Sequence, residues 1–479
     1  MADSRSASRR SFLKKLAAAS VATAASAPFV RPSRSEILEL PSRQTKPVSP
    51  NDTIRVASIG MGIIAFYNLP SMLRVPGVEL VAAADCYEGR LTRTREIFGD
   101  HVDTTRDYRE LLERDDIDAV FIHTPDHWHE RIAVDAMRAG KAVHVEKPMV
   151  QDLDEGHRMI AAQEETGQIL QAGSESVTSI GTRKARELFQ SGAIGELNMV
   201  DALIARNSAI GAWQYAIPPD ASPETIDWDM FLGDAPDRAF DLDRFFRWRK
   251  YWDYGTGVAG DLFVHRFSAL HRIIDGLGPT QAMAMGGVYH WNDGREAPDV
   301  MLALYDYPET ASHPAFSMSM KVNFAAGDSE SYFRLIGTEG TMHVQGNNVM
   351  LTSRRGGDQP SPDEMRGWPS LRTFSQAQQD AFIEDYLKYQ NEALRPGSQS
   401  GASIEYQAPE GYSSTFDQYT RFFDAMRMGG PIVQDVTFGY RAAAAAILAN
   451  HSYRDDRAYA WNPVDMEIRG ANPSTASAN

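Results

Sequence analysis

Cysteine is nearly missing from this chain: Cys86 is the only one in 479 residues. An intramolecular disulfide is therefore impossible, and zinc sites built on two or four thiolates are excluded with it. Basic residues are outnumbered, 48 Lys and Arg against 64 Asp and Glu, for a formal charge of −16. Such a surface repels a phosphate backbone, so no nucleic-acid partner is expected. Long apolar runs are missing too. The stretch from Leu16 to Ala27 is Ala-rich, short and weakly hydrophobic, and no later segment is a candidate membrane span. No repeat period is visible. What the chain has is 43% hydrophobic and 23% charged residues, enough for a large soluble core. Its length predicts two domains with appendages.

The N-terminus reads as an address. Ser8-Arg9-Arg10-Ser11-Phe12-Leu13-Lys14 matches the twin-arginine export pattern, and the apolar stretch and a small-residue region follow in the right order. Residues 1–30 are read as a signal peptide cut near Ala24 or Ala27. The protein is expected to be periplasmic or secreted, exported already folded. Residues 31–52, rich in Pro, Ser and charge, are expected to form a flexible arm.

Strand and helix patterns then alternate. Ile54–Ile59 is a short apolar run that ends in Gly60-Met61-Gly62-Ile63-Ile64-Ala65. A G-x-G-x-x-A turn between strand and helix suits a dinucleotide: tight turn, close approach of pyrophosphate to backbone, close helix packing. The following strand, Glu79–Ala84, ends in Asp85, where a carboxylate can accept hydrogen bonds from a ribose and repel a 2′-phosphate. NAD is the expected cofactor, with NADP left open because Arg90 and Arg93 lie within reach of a phosphate. Strand Ala119–Ile122, the loop Thr124-Pro125-Asp126-His127-Trp128-His129, strand Ala142–Val145 with Glu146-Lys147-Pro148, and helix Leu153–Thr166 continue the pattern. That alternation predicts a parallel, doubly wound sheet over residues 53–173, whose strand ends carry the ligand chemistry. Asp126, His127 and His129 cluster like metal ligands, but two histidines two apart lack a third at suitable spacing, so no metal is expected.

The second half, residues 174–465, reads as helix Thr182–Ser191 followed by strands such as Leu197–Arg206, Ala282–Tyr289, Val300–Tyr307 and Ala315–Phe324, several joined by Gly- or Asp-rich turns. Residues 353–407 read as a surface excursion around one helical stretch. Tyr440–Ser452 is an Ala-rich helix, and 466–479 a polar tail.

Oxidising a secondary alcohol requires a base for the hydroxyl proton and a cation beside the developing alkoxide. Asp261 and His265, four apart in a helix-compatible stretch, face one side of a helix, and the aspartate can orient or charge-stabilise the imidazole. Lys147, arriving from a strand end, can supply the cation. In Arg247-Trp248-Arg249-Lys250-Tyr251-Trp252-Asp253-Tyr254, rings can stack on sugar faces while Arg and Asp bind hydroxyls. Tyr251 and Tyr254 are the expected substrate contacts.

The Gly60 turn, the Thr124-Pro125 loop, Glu146-Lys147-Pro148 and Gly260-Asp261-Leu262-Phe263-Val264-His265 together resemble the Gfo/Idh/MocA oxidoreductase family. The resemblance implies an α/β architecture: an N-terminal Rossmann domain, then an α/β domain with a large, mostly antiparallel open sheet that serves in homo-oligomerisation. It implies Lys147, Asp261 and His265 as the catalytic trio, His265 as acid/base, and a sugar, glycoside or cyclic polyol as substrate. Gly60, Gly62, Ile63, Ile64, Ala65, Asp85, Thr124, Pro125, His127, Glu146 and Lys147 are the expected cofactor contacts. Many relatives carry an acid three positions after the histidine; here it is Ser268, with His271 one turn beyond. Export adds a constraint, because no soluble pool outside the cytoplasm recycles NADH. The cofactor is therefore expected to stay bound and be regenerated in place. Two redox-neutral routes satisfy that: a coupled oxidoreductase, or a glycoside hydrolase working through transient oxidation and elimination. A non-catalytic sugar sensor is the third reading, and the retained trio argues against it.

Overall fold

The computed structural model describes residues 34–40, 52–328, 330–353, 360–393 and 403–469. The twin-arginine segment and its cleavage region lie outside the described residues. No helix among those described is long and apolar enough to cross a membrane.

The first sheet has six strands in the order Asp103–Thr105, Val78–Ala84, Ile54–Ile59, Ala119–Ile122, Ala142–Val145, Leu170–Ala172. Every neighbouring pair is parallel. Ala119–Ile122 and Ala142–Val145 are buried at every position, which is why neither alternates apolar with exposed polar residues, the one polar side chain being buried His144. Helices Ile63–Met72, Glu88–Phe98, His129–Arg138 and Leu153–Thr166 connect the strands. One face is not covered by its own stretch of chain. Helix Ser414–Met428 returns from the far end of the sequence and sets Tyr419, Phe422 and Phe423 within 5.5–5.8 Å of the Phe121 ring.

The second sheet has eleven strands and is mixed. Parallel pairing occurs between Leu197–Ala205 and Phe316–Asn323, and between Arg34–Ile37 and Ser403–Gln407. The other described neighbours run antiparallel. Three expectations change here. Arg34–Ile37, read as part of a flexible arm, is the edge strand of this sheet. The excursion ends before Ser403, because Ser403–Gln407 pairs antiparallel with Asn348–Ser353. The polar tail is also shortened: Glu467–Ile468 pairs with Tyr459–Asn462.

Helix Val436–Asp455 runs between the two domains, touching Leu153–Thr166 on one side and Val264–Ile274 and Gln281–Gly287 on the other. Its alanines permit that double contact. At Gly439 a Cβ would stand 2.6 Å from the Ala172 Cβ, so the helix approaches the first sheet more closely than a side chain allows. The opposite face of the large sheet is open, with Met283, Met285, Leu302 and Leu304 exposed.

Candidate active site

The first turn is shaped by its glycines. Gly60 has φ +87°, and a Cβ there would lie 2.8 Å from backbone atoms of His123 and Thr124. The turn and the Thr124 loop can touch only because that side chain is missing. Gly62 is the N-cap of Ile63–Met72 and offers no side-chain cap. A Cβ at Gly62 would meet nothing within 4 Å, so the helix N-terminus faces open space with no side-chain cap among the described residues, the setting that binds phosphate. Ala65 is fully buried in the apolar layer between this helix and the sheet.

Asp85 closes the second strand. Its Oδ1 accepts the Tyr87 N–H at 2.9 Å and its Oδ2 the Met61 N–H at 2.7 Å. Arg90 donates to Oδ2 at 3.4 Å while its guanidinium lies 5.5 and 5.4 Å from the Phe245 and Phe246 rings. Arg93 pairs with exposed Glu96.

These groups border a cleft of about 260 Å³. One wall is the strand ends: Gly60, Gly62, Ile63, Ile64, Asp85, Thr124, Pro125, Glu146 and Lys147. The other wall comes from the second domain: Tyr215, Met230, Phe231, Phe245, Phe246, Trp248 and Arg249. The Thr124 Oγ1 is buried without a partner among the described residues. A ligand hydrogen-bonding group is the natural complement to such an atom. The open space before Gly62, the Asp85 carboxylate and the orphaned Thr124 hydroxyl together fit a dinucleotide. The wall is pinned across the cleft. The Asp227 N–H donates to the Cys86 carbonyl at 2.8 Å, the Tyr87 hydroxyl to Asp220 at 2.6 Å, and the Trp128 Nε1–H to the Phe231 carbonyl at 2.9 Å.

His127, expected against the cofactor, is turned away. Its Nε2 is 2.9 Å from the same Phe231 carbonyl and its ring packs on Tyr254, because the second domain's wall occupies that side. His129 lies between the carbonyls of Pro148 and Thr124, 2.8 Å from Nδ1 and 3.1 Å from Nε2. Asp126 does not cap a helix. Its carboxylate accepts the Thr256 N–H at 3.0 Å and hydroxyl at 2.7 Å. Burial pushes its pKa up to about 6, against the pull of Arg249.

At the other end of the cleft Lys147 follows strand Ala142–Val145, and its Nζ donates to Asp261 Oδ1 at 2.7 Å and to the Asp261 carbonyl at 2.9 Å. Arg249 Nε donates to the same Oδ1 at 3.2 Å. Asp261 lies in a π-helical turn, Ala259–Phe263, that leads into helix Val264–Ile274. The α-helical spacing assumed for Asp261 and His265 is therefore widened locally, a feature common at functional sites. The carboxylate is engaged by the two cations, and no hydrogen bond links it to His265 among the described residues. Of the two roles expected for Asp261, orienting the imidazole by a hydrogen bond is not seen among the described residues, whereas its charge does act on His265. Burial opposes ionisation of Asp261, but Lys147 and Arg249 outweigh it and hold the carboxyl far below the usual range. Burial, then Lys147, lowers the His265 pKa, with Glu175 and Asp261 opposing. The imidazole is thus neutral at neutral pH. His265 is half-buried and does not line the cleft. Glu146 accepts the Asn68 amide N–H at 2.9 Å, and burial raises its pKa to about 7.

Tyr251 and Tyr254 do not line the cleft. Tyr251 donates to Asp243 at 2.6 Å, and Tyr254 is 0% exposed, packed on His127 and Phe231. The residues of that segment which reach the cleft are Trp248 and Arg249. The aromatic-cationic composition marked the segment, but which side chains face inward depends on the short 3₁₀ turn Trp248–Lys250. His271 is structural: buried, with its Nε2 2.9 Å from the Tyr307 hydroxyl.

Residues 54–174 match the NAD-binding Rossmann fold of the Gfo/Idh/MocA oxidoreductase family, and residues 190–278 match that family's C-terminal α/β domain. A glycosyl hydrolase family 109 protein 1 of Shewanella sp. (strain MR-4) is 36% identical over 123 residues, 24% of this chain and 27% of that protein. An uncharacterized oxidoreductase of Rhizobium meliloti, ORF334, is 34% identical over 174 residues, 36% of this chain and 50% of that one. The chain thus spans half or less of these curated relatives. Levoglucosan dehydrogenase in complex with NADH and levoglucosan shares the fold at TM-score 0.59 and 17% identity, covering 85% of this chain and 98% of that one. With the two matches in order and the cofactor cleft bordered by both, residues 54–174 and 190–278 of this chain are similar to the two domains of the Gfo/Idh/MocA oxidoreductase family.

Proposed function

We propose that this protein oxidises a secondary hydroxyl of a sugar, glycoside or cyclic polyol to a ketone by hydride transfer to a nicotinamide cofactor held between turnovers, the hydride then returning to a carbonyl carbon. The observation that carries the reading is the Lys147–Asp261 contact at the end of the dinucleotide cleft. A lysine has three N–H donors. Two are taken by Asp261, leaving one for a substrate oxygen. That ammonium stabilises a developing alkoxide, and the neutral His265, four residues after Asp261 but outside the cleft lining, is the proposed acceptor of the hydroxyl proton. NAD, when bound, takes the hydride. Asp85 favours NAD over NADP, and Arg90, engaged by Asp85 and two phenylalanines, is not free to meet a 2′-phosphate.

Retention of the cofactor is supported by the second-domain wall, whose Met230, Phe231, Phe245 and Phe246 cover the strand-end side of the cleft. It also suits the periplasmic or secreted location proposed from the Arg9-Arg10 segment. The open sheet face, with Met283, Met285, Leu302 and Leu304 exposed, is the proposed surface for a homo-oligomer.

The second reading, a glycoside hydrolase using transient oxidation, is favoured by the family 109 relatives, such as the one 36% identical over 123 residues. One experiment separates them. Purified protein, with no NAD added, is given glycosides and free sugars in deuterated water, and the released cofactor is identified by mass spectrometry. The oxidoreductase forms an oxidised sugar in step with a reduced partner. Release of aglycone with deuterium beside the former ketone carbon, and no net redox change, assigns the hydrolase. Strict dependence on added NAD refutes cofactor retention.

A further inference from the structure

Arg249 belongs to none of the motifs that mark the family, yet it meets the reaction centre directly. Its Nε shares Asp261 Oδ1 with Lys147, at 3.2 Å against 2.7 Å. Its guanidinium carbon lies 4.2 Å from the Trp248 ring centroid, which sets the plane of the group. The side chain is 23% exposed and lines the cleft beside Lys147 and Tyr215. Neither terminal nitrogen has a protein hydrogen bond among the described residues. Asp126 and Tyr215 act on it only through space.

A guanidinium carries five N–H donors in a rigid fork. Here one of the five is consumed by Asp261, and the ring of Trp248 and the Asp261 oxygen hold the rest in orientation. Donors that face the cleft without a protein acceptor are open to a ligand's oxygens, and a planar pair of terminal nitrogens matches two adjacent oxygens better than one.

We infer that Arg249 is a substrate-binding residue whose terminal nitrogens grip two adjacent oxygens of the sugar or polyol, beside the hydroxyl held by Lys147. The substrate is therefore a ring with at least one hydroxyl next to the reacting group. The inference rests on the proposed function for which hydroxyl reacts; the grip itself does not depend on hydride transfer.

Phenylglyoxal condenses with the terminal nitrogens of accessible guanidinium groups, and peptide mass mapping locates the adduct. In cofactor-loaded protein Arg249 should be labelled, and D-glucose, methyl α-D-glucopyranoside or myo-inositol should slow that labelling without slowing it at exposed Arg93. Arg249→Lys keeps a cation beside Asp261 but loses the fork. With a substrate that turns over, KM should rise about 10- to 100-fold, the worth of a charged hydrogen bond, with kcat little changed. A merely structural arginine would be rescued in both parameters. Protection of Arg249 without any change in nicotinamide absorbance would uphold the grip and sink the redox reading. An unreactive Arg249, labelling unaffected by all three compounds, or wild-type KM in Arg249→Lys overturns the inference. Should Arg249→Lys fail to fold, the wild-type labelling still decides.

Discussion

Lys147 and Asp261 join the two domains through one ammonium: Nζ lies 2.7 Å from Oδ1 and 2.9 Å from the Asp261 carbonyl. Both side chains are largely buried, 15% and 12% exposed. A buried pair is poor evidence of net stabilisation, but removing one partner strands the other charge at a cost of about 3–5 kcal/mol. Arg249 softens that cost on the Asp261 side, since it remains as a second cation.

Turnover should follow this arrangement. His265→Ala and Lys147→Ala should each lose about two or more decades in kcat while the cofactor stays bound, as expected for proton transfer and alkoxide stabilisation. Asp261→Ala should lose comparable activity and also melt at lower temperature, because Lys147 and Arg249 are then left facing each other. Steady-state rates, bound-dinucleotide stoichiometry and thermal melts check this. Near-normal turnover in His265→Ala would point to another base.

Gly60 and Gly62 should fail differently. Gly60→Ala forces a side chain into a φ of +87° and against the Thr124 loop, so it should destabilise the fold by more than about 1 kcal/mol. Gly62→Ala meets nothing within 4 Å and should fold normally, yet bind NAD about tenfold or more weakly because the methyl fills the phosphate approach. Denaturant midpoints and NADH fluorescence titrations separate the two effects.

Cofactor choice rests on Asp85. Asp85→Ala removes a ribose acceptor and frees Arg90, so NAD affinity should drop while NADP affinity changes less or improves. Recovery of NADP from the wild-type protein would refute this assignment.

The pH profile has a definite sign. Burial and the Lys147 charge lower the His265 pKa, so the neutral base persists below the ordinary histidine value of about 6.5. The acid limb of kcat/KM should therefore fall well below that value. Glu175, an exposed anion, opposes the shift, so Glu175→Gln should move the limb lower still. Lys147→Gln should move it upward. An acid limb at the ordinary value in the wild type would count against His265 as the base.

Export is tested by fusing residues 1–51 to a periplasmic reporter. Replacing Arg9 and Arg10 together by lysine should abolish its appearance outside the cytoplasm; unchanged export would overturn the targeting assignment.

Much of this protein is determined by its sequence locally. Ile54–Ile59, Ala119–Ile122 and Ala142–Val145 are legible because buried parallel strands read as short, mostly apolar runs. Leu153–Thr166 is bracketed by an Asp152–Glu155 capping box and left-handed Gly167. The Gly60 turn, Asp85 and Lys147 follow from strand ends, whose place in a doubly wound sheet is set by the alternation itself. Other features had no local signal. Arg34–Ile37 becomes a strand only because Ser403–Gln407 offers it an edge, and Ser414–Met428 covers Phe121 from nearly three hundred residues away. Within Arg247–Tyr254, composition named the segment but could not choose Trp248 and Arg249 over Tyr251 and Tyr254. Periodicity records what neighbours in the chain do to one another. Which rings are buried, which carboxylate meets Lys147 and which guanidinium faces the cleft are decided by contacts between distant segments, and those exist only once the two domains have packed.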